Sequence, residues 1–187
     1  MPDAKDPAPS RVADRLYESR TVLIFGEIKV ELAERVGAEL LALASESSKP
    51  IRVILNSPGG HVEAGDTIHD LLQAIDVEVT IVGTGWVASA GALIFTAAPR
   101  ARRLALPNTR FLLHQPTGGV GGPATDVEIE AQQILAVRAR LNRIFADATG
   151  QPLEKIARDT ERNHWLTADE AVAYGLVGRV VHAVNPR

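Results

Sequence analysis

"GWVASAGALIF" (85–95) carries one hydroxyl: from Val87 to Phe95 every side chain except that of Ser89 is apolar or absent. A Ser held this way, ahead of a run that reads as a buried helix, has two possible uses. It can cap the helix, or it can act as a nucleophile. Small neighbours leave room for a carbonyl, and the helix N-terminus favours negative charge on the adjacent oxygen. Downstream, "RFLLHQ" carries His114 at the end of an apolar strand, either as a hydrogen-bonded strand-end His or as a base at a cleft edge. Upstream, "ILNSPGG" (54–60) runs a strand into Pro58-Gly59-Gly60. That turn is either plain or one whose N–H groups face outward around an anion. Each signal is weak alone. Together, nucleophile, base and oxyanion donors form an acyl-transfer set, provided one sheet brings them to the same edge.

The segments that must do this alternate. "TVLIFGEI" (21–28), "IRVILN" (51–56) and "VEVTIVGTG" (77–85) read as strands. "VELAERVGAELLALAS" (30–45), "VEAGDTIHDLLQAI" (62–75) and "SAGALIFTAA" (89–98) read as helices. This order predicts an α/β domain with a mostly parallel, helix-covered sheet and its active residues on loops at strand ends. From Leu104 on, "LAL" and "RFLLHQ" predict short strands, followed by the Gly-rich "TGGVGGPA" (117–124). A long helix then runs from Thr125 to about Thr149, with Thr125 and Glu128 spaced as a capping box and an apolar stripe of Val127, Ile134, Leu141 and Phe145. Such a helix is either a plain core helix or one whose face is partly covered by another subunit. The chain closes with "LEKIARDTERNHW", a short helix "TADEAVAYG" and a strand "LVGRVVH" (176–182). Residues 1–14 open with a Pro-rich, charged stretch and are expected to be a flexible tail before one domain over 15–187.

Composition narrows the chemistry. A length of 187 residues fits one domain, and a net charge of -3 provides no broad basic surface for nucleic acid. The absence of Cys removes disulfides, thiol catalysis and thiolate zinc sites. The five His fit no metal-ligand spacing, so no metal is expected. No apolar run reaches the roughly 18 residues of a membrane span and no signal peptide is evident, which makes a cytoplasmic location without membrane contact the expectation. Residue 87 is Val, so Ser89 is not in a G-x-S-x-G elbow, and no Asp or Glu stands between Ser89 and His114. Both points disfavour an α/β-hydrolase.

The landmarks "ILNSPGGHVEAGDTIHDLLQ", "GWVASAGALI", "LPNTRFLLHQPTGGVGGPATDVEIEAQQIL" and "ARDTERNHWLTADEAVAYGLV" resemble the proteolytic subunit of the Clp protease, ClpP, from about Arg15 to Val181. The resemblance implies a ClpP/crotonase-like repeated β-α spiral with a protruding helix-strand handle at about 117–149. It implies a serine endopeptidase subunit acting on unfolded proteins and peptides, assembled as two stacked heptamers. Carried over by position, Ser89 is the nucleophile, His114 the base, and Gly60 and Ala90 the oxyanion donors; Val62, Thr117 and Gly118 flank an extended substrate. No cofactor is expected in this chain, since ATP would be used by a partner AAA+ unfoldase. A crotonase-type acyl-CoA enzyme would share the spiral but need no Ser and His in these places.

Three departures accompany the resemblance. Where the family usually has the triad Asp, "ERN" places Asn163, which can hold the His ring but lacks the charge that stabilises an imidazolium; Asp159 or Glu161 could supply charge only by turning into the site. The N-terminal segment is shorter and Pro-rich. At the outer pockets that receive ATPase loops, Arg52, Ile54 and Ala74 replace aromatic positions, which makes any ATPase contact indirect. The expectation is a peptidase that is weak alone or active in a hetero-oligomer with another ClpP paralogue. The alternative is a catalytically inert, structural or regulatory ring subunit.

Overall fold

Strand-forming β-branched runs bury their apolar side chains against helices packed on a parallel sheet, and in this chain alternate residues of the strands Thr21–Phe25 and Ile51–Ser57 do so. A computed structural model describes residues 8–119 and 121–184. Helix α1 (Ala8–Glu18) leads into β1 (Thr21–Phe25), α2 (Val30–Glu46), β2 (Ile51–Ser57), α3 (Val62–Ala74), β3 (Val79–Ala88) and α4 (Ala90–Thr96). Then come β4 (Arg103–Ala105), β5 (Arg110–Leu113), α5 (Ala124–Thr149), α6 (Leu153–Asp159), β6 (His164–Thr167), α7 (Ala168–Tyr174) and β7 (Arg179–Val180). Strands β1, β2, β3, β4 and β7 pair in that order, all in parallel.

Strand β3 serves two neighbours. Its first part, at Ile81–Gly83, pairs with β4, and its last part, at Trp86–Ala88, pairs with β5. The change of partner occurs at a bulge, where the β2 register shifts between Leu55 and Ser57 and Gly85 adopts a φ of 59°. A Cβ on Gly85 would lie 2.9 Å from Asn56 Oδ1, the same oxygen that accepts the Trp86 N–H. Asn56 thus supplies the hydrogen bond that the broken ladder loses. Strand β6 adds antiparallel to β5.

The core lies on the helix-covered face. Ile24, Val53, Leu55 and Ile81 from the sheet, with Val36, Leu40, Ile68 and Leu93 from the helices, are almost wholly excluded from water. Each such side chain is worth about 1.5–3 kcal/mol relative to exposure. On the opposite face Val82, Leu104 and Val181 form a small separate cluster against which Ile54 and Leu106 pack. Arg52 is half-buried and shares a cavity of about 440 Å³ with Arg102 and Arg179, while Ala74 is exposed at the end of α3.

Several boundaries differ from expectation. Helix α1 begins inside the segment expected to be a tail, of which residues 1–7 lie outside the described residues. The Thr125/Glu128 capping box does not form: Pro123 is the N-cap of α5, so Thr125 already sits within the first turn. A capping box does form at Thr167 and Glu170, at the start of α7. Strand β7 is shorter than 176–182 because Leu176 and Val177 donate back to Ala171 O in the turn that ends α7. No strand is described over 117–119 or 121–123, where the handle strand was expected; within one chain no neighbouring strand offers the partner a ladder requires.

Helix α5 divides the two outcomes posed for it. Leu141 and Phe145 are buried, Val127 and Ile134 only half-buried, and Ile129 and Leu135 are 52% and 60% exposed. The C-terminal half is a core helix. The N-terminal half presents apolar side chains that this chain does not cover.

Candidate active site

The turn from β3 into α4 places the hydroxyl. Ser89 has φ 57° and ψ -121°, and among the described residues only Arg20 shares a positive φ outside glycine. This conformation is a strained strand-to-helix elbow, reached without the Gly two positions earlier that such elbows usually carry. Room comes from elsewhere: a Cβ on Gly59 would stand 2.6 Å from Ser89 Cβ, and one on Gly91 would stand 3.3 Å from Ser57 Cβ. The Ser89 side chain makes no capping bond to α4. Its Oγ lies 2.7 Å from His114 Nε2 instead.

That meeting follows from the register. Ala88 pairs with Leu112, and the Ser89 N–H donates to Leu112 O at 2.9 Å, so the residues just past β3 and β5 lie side by side. The antiparallel β6 completes the set. Leu113 pairs with His164, so continuing the ladder by one step sets His114 opposite Asn163. The half-buried imidazole binds its proton less readily than an ordinary His because burial disfavours the cation; a hydrogen bond that its ring N–H donates to Asn163 offsets part of this.

The nearby carboxylates are committed elsewhere. Asp159 accepts from Lys155 Nζ at 2.6 Å and from the Tyr174 hydroxyl at 2.8 Å, and Glu161 pairs with Arg138. The loop carrying Asn163 is tied to the His114 strand: the Gln115 N–H donates to Thr160 O at 2.7 Å, and Gln115 Nε2 to Glu161 O at 2.8 Å. It is tied to α5 as well, since Thr160 Oγ1 is 2.9 Å from Asn142 Oδ1. Gln115 and Thr160 escaped the sequence reading. Their signal was faint, a Gln between a strand-end His and Pro116.

Gly60 sits where no side chain fits. The Ile28 N–H donates to Gly59 O at 2.9 Å and the His61 N–H to Ile28 O at 2.8 Å, closing the Ile28 backbone around Gly60. A methyl on Gly60 would stand 2.1 Å from Ile28 O. Among the described residues the N–H groups of Gly60 and Ala90 meet no acceptor, and Ala90 opens α4, where no intrahelical partner exists. Gly60→Ala is therefore expected to cost about 1–3 kcal/mol in urea unfolding and to suppress turnover, because the methyl collides with backbone that cannot rotate aside. Val62 is half-buried and opens α3 just beyond this turn. Thr117 and Gly118 are exposed past His114, and a Cβ on Gly118 would touch Ile134 of α5 at 3.0 Å.

Among the described residues, no group of three or more His, Cys, Asp or Glu is arranged to hold a metal ion, and no helix is long and apolar enough to cross a membrane.

A family model described as Clp protease matches residues 5–184. The chain is 59% identical over 178 residues to an ATP-dependent Clp protease proteolytic subunit 2 of Gluconobacter oxydans, covering 94% of this chain and 80% of that protein. It is 60% identical over 166 residues to an ATP-dependent Clp protease proteolytic subunit 3 of Rhizobium etli, covering 89% and 86%. Among solved structures, an Asn-to-Asp mutant of ClpP1 from Listeria monocytogenes superposes with a TM-score of 0.86 at 50% identity, covering 92% of this chain and 96% of that one.

Proposed function

The chain belongs to the Clp protease family, as a ClpP-type serine endopeptidase subunit similar to numbered paralogues 2 and 3, and from that premise we propose that Ser89, His114 and Asn163 carry its chemistry. Ser89 Oγ attacks the scissile carbonyl while His114 Nε2 takes its proton and later returns it to the leaving amine. The Gly60 and Ala90 N–H groups receive the oxyanion. Asn163 accepts from the other ring nitrogen and fixes the tautomer. The acyl-enzyme is then hydrolysed by a water that His114 activates in the same way. The observation that carries this is the 2.7 Å contact between Ser89 Oγ and His114 Nε2 on a strained elbow.

The substrate is an extended segment of an unfolded protein, lying as an added strand beside Val62, Thr117 and Gly118. A single peptidase domain spans residues 15–187, and the uncovered half of α5 with the preceding segment forms the handle of a two-heptamer ring. Asn163 leaves the imidazolium without a countercharge, so turnover is weak in the homomer and rises in a mixed ring with another ClpP subunit. Arg52 beside Arg102 and Arg179 opposes an apolar docking loop, so a Clp ATPase engages through that second subunit, in the cytoplasm.

Ile129→Asp with Leu135→Asp is expected to lower the native mass while the dissociated chain keeps a native circular dichroism spectrum, since neither side chain contributes to the core of its own chain. Native mass spectrometry with a fluorophosphonate probe on the same sample tests the function. Labelling of a ring, lost in Ser89→Ala, supports it. The uncharged Asn163 favours a second reading, an inert ring subunit, and absence of labelling in homomeric and mixed rings alike would establish that instead.

A further inference from the structure

Helix α3 touches both Gly60 and Ala90, whose N–H groups meet no acceptor among the described residues. Gly60 immediately precedes His61, the N-cap of α3, and one turn into the helix a Cβ on Gly65 would stand 3.0 Å from Ala90 Cβ. The first link is covalent and the second is a packed contact, so any drift of this turn changes the distance between the two donors. The turn lacks the usual fastening, because His61 makes no side-chain capping bond.

What holds it comes from α5. Arg140 Nη1 and Nη2 donate to Asp66 Oδ1 and Oδ2, both at 2.6 Å, and among the described residues no other hydrogen bond joins α3 to α5. A guanidinium fork on a carboxylate fixes orientation as well as distance, which a single-point contact does not. Bonding to Asp66, with Glu63 and Asp70 a turn to either side, makes Arg140 harder still to deprotonate, so the fork stays charged. Both side chains are partly in water, Asp66 21% and Arg140 45% exposed, so the pair adds little to folding itself. Its place in α5 is more telling. Arg140 stands beside the buried Leu141, where the helix leaves its uncovered half, and Arg138 just before it pairs with Glu161 in the loop that carries Asn163. One turn of α5 thus grips both sides of the site.

We propose that Asp66 and Arg140 are positioning residues for the oxyanion: their fork fixes the first turns of α3 against α5 and so sets the spacing of the Gly60 and Ala90 N–H groups. The assignment rests on the reading of those two groups as oxyanion donors. Neither Asp66 nor Arg140 touches substrate in this scheme. They act through Gly65, which bears on Ala90, and through the chain that runs back from α3 to Gly60. Donors that stabilise charge only as it develops must already stand at the right separation, so a small displacement lowers the rate of the chemical step and leaves ground-state binding alone.

Hydrolysis of a fluorogenic peptide by the full-length protein, read beside the rate of fluorophosphonate labelling, tests this in Asp66→Asn, Arg140→Gln and the double variant. Each single variant is expected to lower kcat and the labelling rate about tenfold with KM unchanged, a fraction of the roughly 10²–10³ lost when an oxyanion donor is removed outright. The double variant is expected to lose no more than either single one, because the second exchange finds no partner left to release. A role in folding alone would shift the melting temperature and leave kcat of the folded protein intact. Unchanged kcat and labelling in both single variants overturn the assignment, and so does a double variant whose loss is the product of the two. Labelling of the wild type that disappears in Ser89→Ala keeps the reading of the site standing when the pair fails. A wild type that never labels removes both.

Discussion

Ser89→Ala is expected to abolish fluorophosphonate labelling completely but to lower peptide turnover only about 100-fold. The difference comes from non-additivity. In subtilisin, losing the Ser or the His costs about 2 × 10⁶ in kcat, as much as losing the whole triad, whereas losing the Asp alone costs about 3 × 10⁴. A site that already lacks the carboxylate has forfeited most of that factor, which leaves roughly 10² for its nucleophile. Labelling has no such reserve, because the probe bonds to the oxygen itself. The fold should be indifferent, since Ala at a φ of 57° is strained much as Ser is. An unchanged melting temperature with undiminished labelling would move the nucleophile elsewhere. Put into an Asn163→Asp background, the same exchange should cost on the order of 10⁶.

How far such a site can be read from the chain depends on which interactions place each residue. The alternation of strands and helices was legible because apolar periodicity and turn residues act locally. From its own neighbours Ser89 read more readily as a cap than as a nucleophile, since what separates them is a long-range fact: His114 draws the hydroxyl away from the helix it precedes. Pairing of β3 with β5 depends on the bulge at Gly85, patched by an Asn56 amide from another strand. No window around Ser89 contains that information. The capping signal failed at Thr125, because Pro123 with its fixed φ set the boundary first, and the same motif held at Thr167. Helix α5 was clear as a helix, but which half stays uncovered depends on how the rest of the chain folds back against its end. Asp159 and Glu161 were open as substitutes for the missing charge until Lys155, Tyr174 and Arg138 accounted for them.

Asn163→Asp should then raise kcat/KM by a factor approaching 10⁴, the reverse of what the opposite exchange costs in a Ser-His-Asp protease. Two effects combine. An Asn amide can present either its oxygen or its NH₂ to the ring, and the second choice stabilises the tautomer whose Nε2 carries the proton and cannot accept one from Ser89. A carboxylate accepts only, and it stabilises the imidazolium formed in the transition state. The pH profile supplies an independent sign. With Asn163 in place, burial holds the His114 pKa below the ordinary value near 6.5, so the base stays unprotonated and the acid limb of kcat/KM lies at low pH. A carboxylate at 163 favours the imidazolium, raises that pKa, and must move the acid limb to higher pH even as the plateau climbs. A structural role for residue 163 would move neither. If the variant forms the same oligomer yet shows an unshifted limb and an unchanged plateau, Asn163 does not act on His114.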